Sequence, residues 1–449
     1  MGQNNEIIAA IDVGTTKIVV IIGQKDANGN IEVLGYGRTD SHGVKRGAVN
    51  NITTTIKEIK EAVQKAEAAS GITITEAYVG IAGQHIRSQH FTQTVNRNSA
   101  NSAISQADVD NLINQMREVP TQMGEEVLHI LPQSFTVDNE IGIHNPVGME
   151  GKQLSGDFHI IYGQTALANN LRRCIESNNI KVKGLILEPL ASSTAVLSDD
   201  DKELGVALVD IGGGTTDLAI FKDGQIIHSC VIPCGGNIIT SDIQQGCKIL
   251  ERDAEKLKIE YGAALSSKAM QNQVVTIPSS GGLKPKEITL YMLSQIISAR
   301  MQEIIATVRQ EIINAGARDS LGAGIVITGG GAMLRHLPQL FAGCTGYEVR
   351  IGYPSRLLKT DNKDVSNEPS NSTAVGLMMM GLNNVRIDGI GFDVKTSDKE
   401  QAEPVNDNDN AETAAEAQQP QTGKGKKMKD KIKTFWDNFV YNDEDDNLK

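Results

Sequence analysis

The stretch Leu208–Phe221, LVDIGGGTTDLAIF, places three glycines and two threonines between two apolar runs, with an aspartate on each side of the turn. Glycine is costly inside a strand, so a glycine cluster there marks a point where the backbone must come close to something. The same frame occurs earlier in the chain. Residues 6–40, EIIAAIDVGTTKIVVIIGQKDANGNIEVLGYGRTD, read as strand, Gly-Thr turn, strand, Asn-Gly turn, strand. Residues 205–236, GVALVDIGGGTTDLAIFKDGQIIHSCVIPCGG, repeat that order with an Asp-Gly turn. Asp12 through Lys17 thus echoes Asp210 through Asp217. A repeat this long is a duplicated domain and not a solenoid, and two similar α/β halves predict a cleft between them.

Backbone N–H groups in a tight glycine turn can all point at one anion, which a side chain would block. Gly14, Thr15, Thr16 and Lys17 in the first turn, and Gly212, Gly213, Gly214, Thr215 and Thr216 in the second, would hold a phosphate chain from both sides. Asp12 and Asp210 end the preceding strands; two carboxylates there would hold Mg²⁺ and offset the phosphate charge. Lys17 is placed to reach the outer phosphates. A third turn, GIVITGGGAMLRHLPQLF at 324–341, reads as strand, triple glycine, helix. Gly329, Gly330 and Gly331 suit close approach to a flat ring or ribose, although a plain strand-to-helix connection has the same pattern. Neither GxxxxGK[ST] nor GxGxxG occurs, so P-loop and Rossmann readings fail.

The rest of the chain divides around these turns. Residues 53–69 follow a helical period with Ile56, Ile59, Val63 and Ala66 on one face, and TEAYVGIAG reads as a strand. Residues 84–163 form an inserted subdomain, with a helix capped by Ser105, and 237–319 form a second insert ending in a long amphipathic helix with a break. The net charge of -12 argues against nucleic acid as a partner. The five cysteines lack a CxxC pair; Cys230 and Cys234 are four apart without a Cys/His cluster to complete a zinc site, and the expectation is reduced thiols. The N-terminal residues lack the basic-then-apolar form of a signal peptide, and no run approaches the ~18 apolar residues of a membrane span.

After Phe392 the composition changes. Residues 393–423 read as a disordered linker. Residues 424–442 read as an amphipathic helix, with Met428, Ile432, Phe435, Trp436 and Phe439 on one stripe, flanked by Lys427, Lys429, Lys431 and Lys433. It is too short to cross a bilayer and suits lying in an anionic interface.

Two DxG turns followed by strand-GGG-helix resemble the phosphate and adenosine motifs of the actin/Hsp70/sugar-kinase superfamily. Stretches beyond those motifs resemble the FtsA family of bacterial cell division proteins: SHGVKRGAVNNI (41–52), NPVGMEGKQL (145–154), GGNIITSDI (235–243) and the position of the first insert. The fold class implied is α/β, an actin-like duplicated two-domain ATP-binding fold with inserted subdomains. The resemblance implies subdomain 1A at 1–83 and 164–200, 1C at 84–163, 2A at 201–236 and 320–392, and 2B at 237–319. It also implies that LEPLASSTAVL (187–197) and NSTAVGLMMMG (371–381) are the connecting helices.

By the same resemblance Glu188 takes the place where relatives orient the attacking water; before Pro189 it reads equally as a helix-start residue. Gly235 and Gly236 join the nucleotide site, and Met333 the adenosine motif. Glu255 and Lys258 face the adenosine, or form a solvated i,i+3 pair. The cofactors implied are ATP and Mg²⁺, with at most slow hydrolysis. The partners implied are FtsZ through 2B, further copies of the chain, later division proteins through 1C, and the cytoplasmic face of the cell membrane at the division site. An actin-like pilus-assembly ATPase or a sugar kinase of the same fold is the alternative.

Overall fold

The apolar run Ile7–Val13 pairs antiparallel with Lys17–Lys25, which pairs antiparallel with Ile31–Asp40. Its other edge takes Glu76–Ile81 in parallel, and that strand takes Lys181–Leu187 in parallel. The second half builds the same sheet: Val206–Ile211 pairs antiparallel with Thr216–Lys222, which pairs antiparallel with Gln225–Ile232, and on its other edge takes Ile325–Thr328 in parallel, which takes Val349–Ile351 in parallel. The repeat seen in the sequence is therefore a repeat of topology, strand for strand, with a short strand Leu358–Lys359 added to the edge of the first sheet. The computed structural model describes residues 6–26, 29–97, 103–278, 285–354, 358–359 and 363–383, and the expected linker and terminal helix lie outside them.

The central strands read as near-continuous apolar runs because both faces of each sheet are covered. The helix Ile52–Ser70 covers one face of the first sheet with Ile59, Val63 and Ala66 buried. It starts at Asn51, whose side chain accepts from Thr54 N–H, and stops at Gly71 in the left-handed region, φ 72°. The two connecting helices, Glu188–Val196 and Ser372–Leu382, pack on each other between the halves. The second is buried along its whole length. Contact is close enough that a Cβ on Gly376 would overlap the carbonyl of Ala191.

The first insert is a separate four-stranded antiparallel sheet, in the order Arg87–Asn96, Gln153–Gln164, Glu125–Val137, Glu140–Ile143. Its helix Gln106–Gln115 opens on a capping box between Ser105 and Asp108 and closes a small core with Leu112, Phe158 and Ile160. In the second insert the amphipathic run forms one uninterrupted helix, Leu290–Asn314, and not the broken one expected. No Pro interrupts it, and Leu293, Ile297, Met301, Ile304, Ile305, Val308 and Ile312 supply a continuous buried stripe. Among the described residues no helix is long and apolar enough to cross a membrane.

Candidate functional site

Each glycine turn closes in the same way. Gly14 N–H donates to Lys17 C=O at 3.0 Å, and Gly212 N–H to Thr215 C=O at 2.9 Å. The two turns then meet across the halves. A Cβ on Gly213 would overlap Thr16 Cγ2, and one on Gly214 would lie 2.6 Å from Thr15 Oγ1 and 3.0 Å from the backbone of Arg46. Glycine is thus required on the second turn by the close approach of the first. The threonine hydroxyls are engaged locally: Thr215 donates to Asp217 Oδ2 at 3.0 Å, Thr216 donates to Cys234 C=O at 2.7 Å, and Thr15 accepts from Gly47 N–H at 3.2 Å. The N-terminus of the helix Gly236–Cys247 is tied to the same turn, with Gly236 and Asn237 N–H donating to Gly212 and Gly213 C=O. Gly235 packs so tightly against this turn that a Cβ would come 2.6 Å from Gly212 O.

Four carboxyl groups gather at the turns. Asp12, Asp210 and Asp217 are buried, and Glu188 stands at the start of the first connecting helix with Pro189 behind it. Asp210 Oδ2 accepts from Thr373 Oγ1 at 3.3 Å, and the Ser192 hydroxyl, which donates to Glu188 C=O at 2.9 Å, stands beside it, so both connecting helices bring a hydroxyl to this one carboxylate. Burial pushes Asp210 up to about 6 against those hydrogen bonds. Asp12 is raised to about 6 by burial, with Lys17 opposing and Asp210 adding. Asp217 is pushed up to about 8 by burial and by Asp210. Glu188 stands well above the usual carboxylate range through burial and then the charges of Asp12, Asp217 and Asp210.

This clustering fits a divalent cation. Asp217 Oδ1 is buried with no hydrogen-bond partner among the described residues, and a hard cation beside these oxygens would relieve both the orphaned acceptor and the carboxylate repulsion. Asp12 and Asp210, the residues expected for Mg²⁺, stand in this cluster. Asp217, which closes the DIGGGTTD motif, joins them as a site residue that the glycine turn alone does not announce.

Lys17 points elsewhere than along the turn. Its Nζ donates to Ser370 Oγ at 3.0 Å, to Asn371 Oδ1 at 2.9 Å and to Ser370 C=O, and burial lowers it to about 8. Ser370 and Asn371 belong to the turn that leads into the second connecting helix, beside the third glycine cluster. There, Gly329 takes φ 81°, and a Cβ on it would overlap Asp210 Oδ1. Gly331 lies against Ile211 in the same way, whereas a Cβ on Gly330 would meet only Ser370 Cβ at 3.9 Å, leaving open space above it. The residues after Gly329 form a 3₁₀ turn, Gly330–Met333, and the expected helix starts later, at Leu337, after His336 in the left-handed region. Met333 is half exposed at 51%. Glu255 and Lys258 form a 2.7 Å ion pair, and Lys258 Nζ also donates to Gly236 C=O and Thr240 Oγ1, so this pair is anchored to the helix Gly236–Cys247 and is not simply solvated.

A residue with no sequence signal bears on Glu188. His129, on an insert strand, accepts from Leu187 N–H at 3.0 Å through Nε2. Burial holds His129 down to about 4, so the ring is neutral and can accept. Glu188 also lines a cavity with Val13, Gly80, Leu171 and His85, whose ring nitrogens are buried without partners among the described residues.

Comparison with known proteins adds sequence relationships to this geometry. The family model "Cell division protein FtsA" matches residues 207–376, and "SHS2 domain inserted in FTSA" matches 83–162. A cell division protein FtsA of Pseudomonas aeruginosa is 36% identical over 404 residues, spanning 90% of this chain and 95% of that protein. The FtsA of Escherichia coli K12 is 34% identical over 385 residues, spanning 84% and 91%. Among solved structures, a PilM–PilN type IV pilus biogenesis complex shares the fold with a TM-score of 0.62 at 14% identity, covering 84% of this chain and 98% of the other. MreB5 of Spiroplasma citri bound to ADP matches with a TM-score of 0.50 at 14% identity, covering 84% and 96%.

Proposed function

Because this chain belongs to the FtsA family of cell division proteins, we propose that it is an ATP-binding, polymer-forming adaptor that tethers FtsZ filaments to the cytoplasmic membrane and recruits later division proteins. The observation that carries the nucleotide part is the contact of the two glycine turns, Gly213 on Thr16 and Gly214 on Thr15, beside four converging carboxyl groups. Gly14–Lys17 and Gly212–Thr216 would hold the phosphates, and Gly330 would admit the adenosine, with Gly236, Glu255, Lys258 and Met333 at its border. Asp12 and Asp210 would hold Mg²⁺, which would offset the charge of the phosphates. Glu188, fixed by the helix start and by His129 through Leu187 N–H, orients a water toward the outer phosphate. Both halves touch the nucleotide, so its presence sets their relative angle and thereby favours assembly over turnover.

The partner surfaces follow the inserts. We assign the FtsZ contact to 237–319, and self-association and later division proteins to 84–163, because the described part of 84–163 supplies no phosphate-holding turn. The pilus-complex likeness is one of fold, at 14% identity, and the family relationship decides between the two.

The membrane part rests on residues 424–442. Met428, Ile432, Phe435, Trp436 and Phe439 bury in the acyl boundary, and the lysines between them meet anionic headgroups. The chain holds one Trp, Trp436, so its emission reports on this helix alone. Adding phosphatidylglycerol-containing vesicles is expected to shift that emission to the blue and to co-sediment the protein. Phe435→Glu, with Trp436 retained, is expected to abolish both while leaving ATP affinity unchanged. An unshifted wild-type spectrum at saturating lipid would refute the tether.

A further inference from the structure

The strand Gln225–Ile232 carries a set of side chains that the nucleotide site does not use. His228 and Cys230 are two apart, so they share one face of the strand. Glu311, near the end of the long helix Leu290–Asn314, packs on that face. His228 Nε2 lies 3.1 Å from Glu311 Oε2, and the ligand atoms of His228, Cys230 and Glu311 all fall within 4.8 Å of one another. We propose that these three residues form a site for a borderline-soft divalent metal ion, with Zn²⁺ the ion that best suits the ligand set.

Three observations favour a metal over a plain ion pair. The Cys230 thiol and the His228 imidazole both meet Glu311, and imidazole, thiolate and carboxylate together are a Zn²⁺ donor set and a poor one for Mg²⁺ or Ca²⁺. The spacing is close to that required: ligand atoms around a tetrahedral ion stand roughly 3.5 Å apart, and the present atoms lie within 4.8 Å of one another. The carboxylate is also oriented, since Asn314 Nδ2 donates to Glu311 Oε1 at 3.2 Å and leaves Oε2 directed at His228. None of the three is fully buried, so an ion and a water for the fourth position have access.

The consequence lies in how the strand is held. The intervening residue, Ser229, points to the opposite face, where His159 of the first insert meets its hydroxyl at 3.1 Å and Ser88 donates to its carbonyl at 3.1 Å. An ion on the His228–Cys230 face would fix to the long helix the same strand that the first insert grips from behind.

The test uses the full chain stripped with chelator and dialysed. Co²⁺ titration is expected to give a thiolate-to-metal charge-transfer band and the intense visible absorption of a tetrahedral site, both removed by one equivalent of Zn²⁺ and unaffected by excess Mg²⁺. Cys230→Ser, isosteric and checked for folding by circular dichroism, should lose the charge-transfer band. His228→Ala should weaken Co²⁺ binding at least tenfold, and Cys234→Ser should change neither. Absence of the band at saturating Co²⁺, or a band that survives in Cys230→Ser, would overturn the assignment.

Discussion

Gly376→Ala is expected to destabilise the protein by about 3 kcal/mol, the scale of overpacking a tight core contact. The sign is informative, because Gly→Ala inside an ordinary helix gains roughly 0.5–1 kcal/mol. Here the added methyl would overlap the carbonyl oxygen of Ala191, and both partners are helix backbone that cannot turn aside. The helices concerned, Glu188–Val196 and Ser372–Leu382, also supply Ser192 and Thr373 to Asp210. Separating them should therefore lower the urea midpoint and also weaken nucleotide binding, although Gly376 itself does not face the cleft. A Gly376→Ala protein as stable as wild type in urea would show that the helices are not in the contact described.

Gly330→Val is expected to leave stability nearly unchanged and to weaken ATP binding on the order of 100-fold or more, about 2.7 kcal/mol. A Cβ at Gly330 meets only Ser370 Cβ at 3.9 Å, so the protein accommodates it, but the branch would occupy the open space assigned to the adenosine. Gly331→Val would be a poor substitute, because a Cβ there already overlaps Ile211 and any loss of binding would follow from misfolding. Calorimetric titration with ATP, alongside thermal unfolding of the same variant, checks both halves of the expectation. Unchanged affinity would move the adenosine away from the third turn.

The architecture was legible in the sequence because its signal is local and repeated. Each half announces itself by strand, Gly-Thr turn, strand, and the structure answers with the same sheet order twice. Glycines were informative for the same reason: Gly213, Gly214 and Gly329 are each forced by a close approach. What escaped notice arises only when distant segments converge. Thr373 and Ser192 sit within the two connecting-helix stretches, but their approach to Asp210 exists only because those helices cross there. His129 reads as one polar residue in an insert strand, yet it fixes the N–H that precedes Glu188. Lys17 was expected to face the outer phosphates, and its ammonium instead reaches across to Ser370 and Asn371, more than 350 positions away. The His228–Cys230–Glu311 cluster was invisible for the same reason, since a spacing search finds pairs along the chain and Glu311 arrives from another element.

The central claim, that the two repeats hold Mg-ATP between them, is tested most directly by calorimetric titration of wild type and Asp210→Asn with ATP, with and without Mg²⁺. The substitution keeps an oxygen for Thr373 while removing the charge, so the helix crossing is preserved. Wild type is expected to bind one ATP, more tightly with Mg²⁺ than without, and Asp210→Asn to lose most of the Mg²⁺-dependent gain, about tenfold or more in affinity. No binding by wild type, or an Asp210→Asn protein with wild-type affinity and the same response to Mg²⁺, would contradict the account.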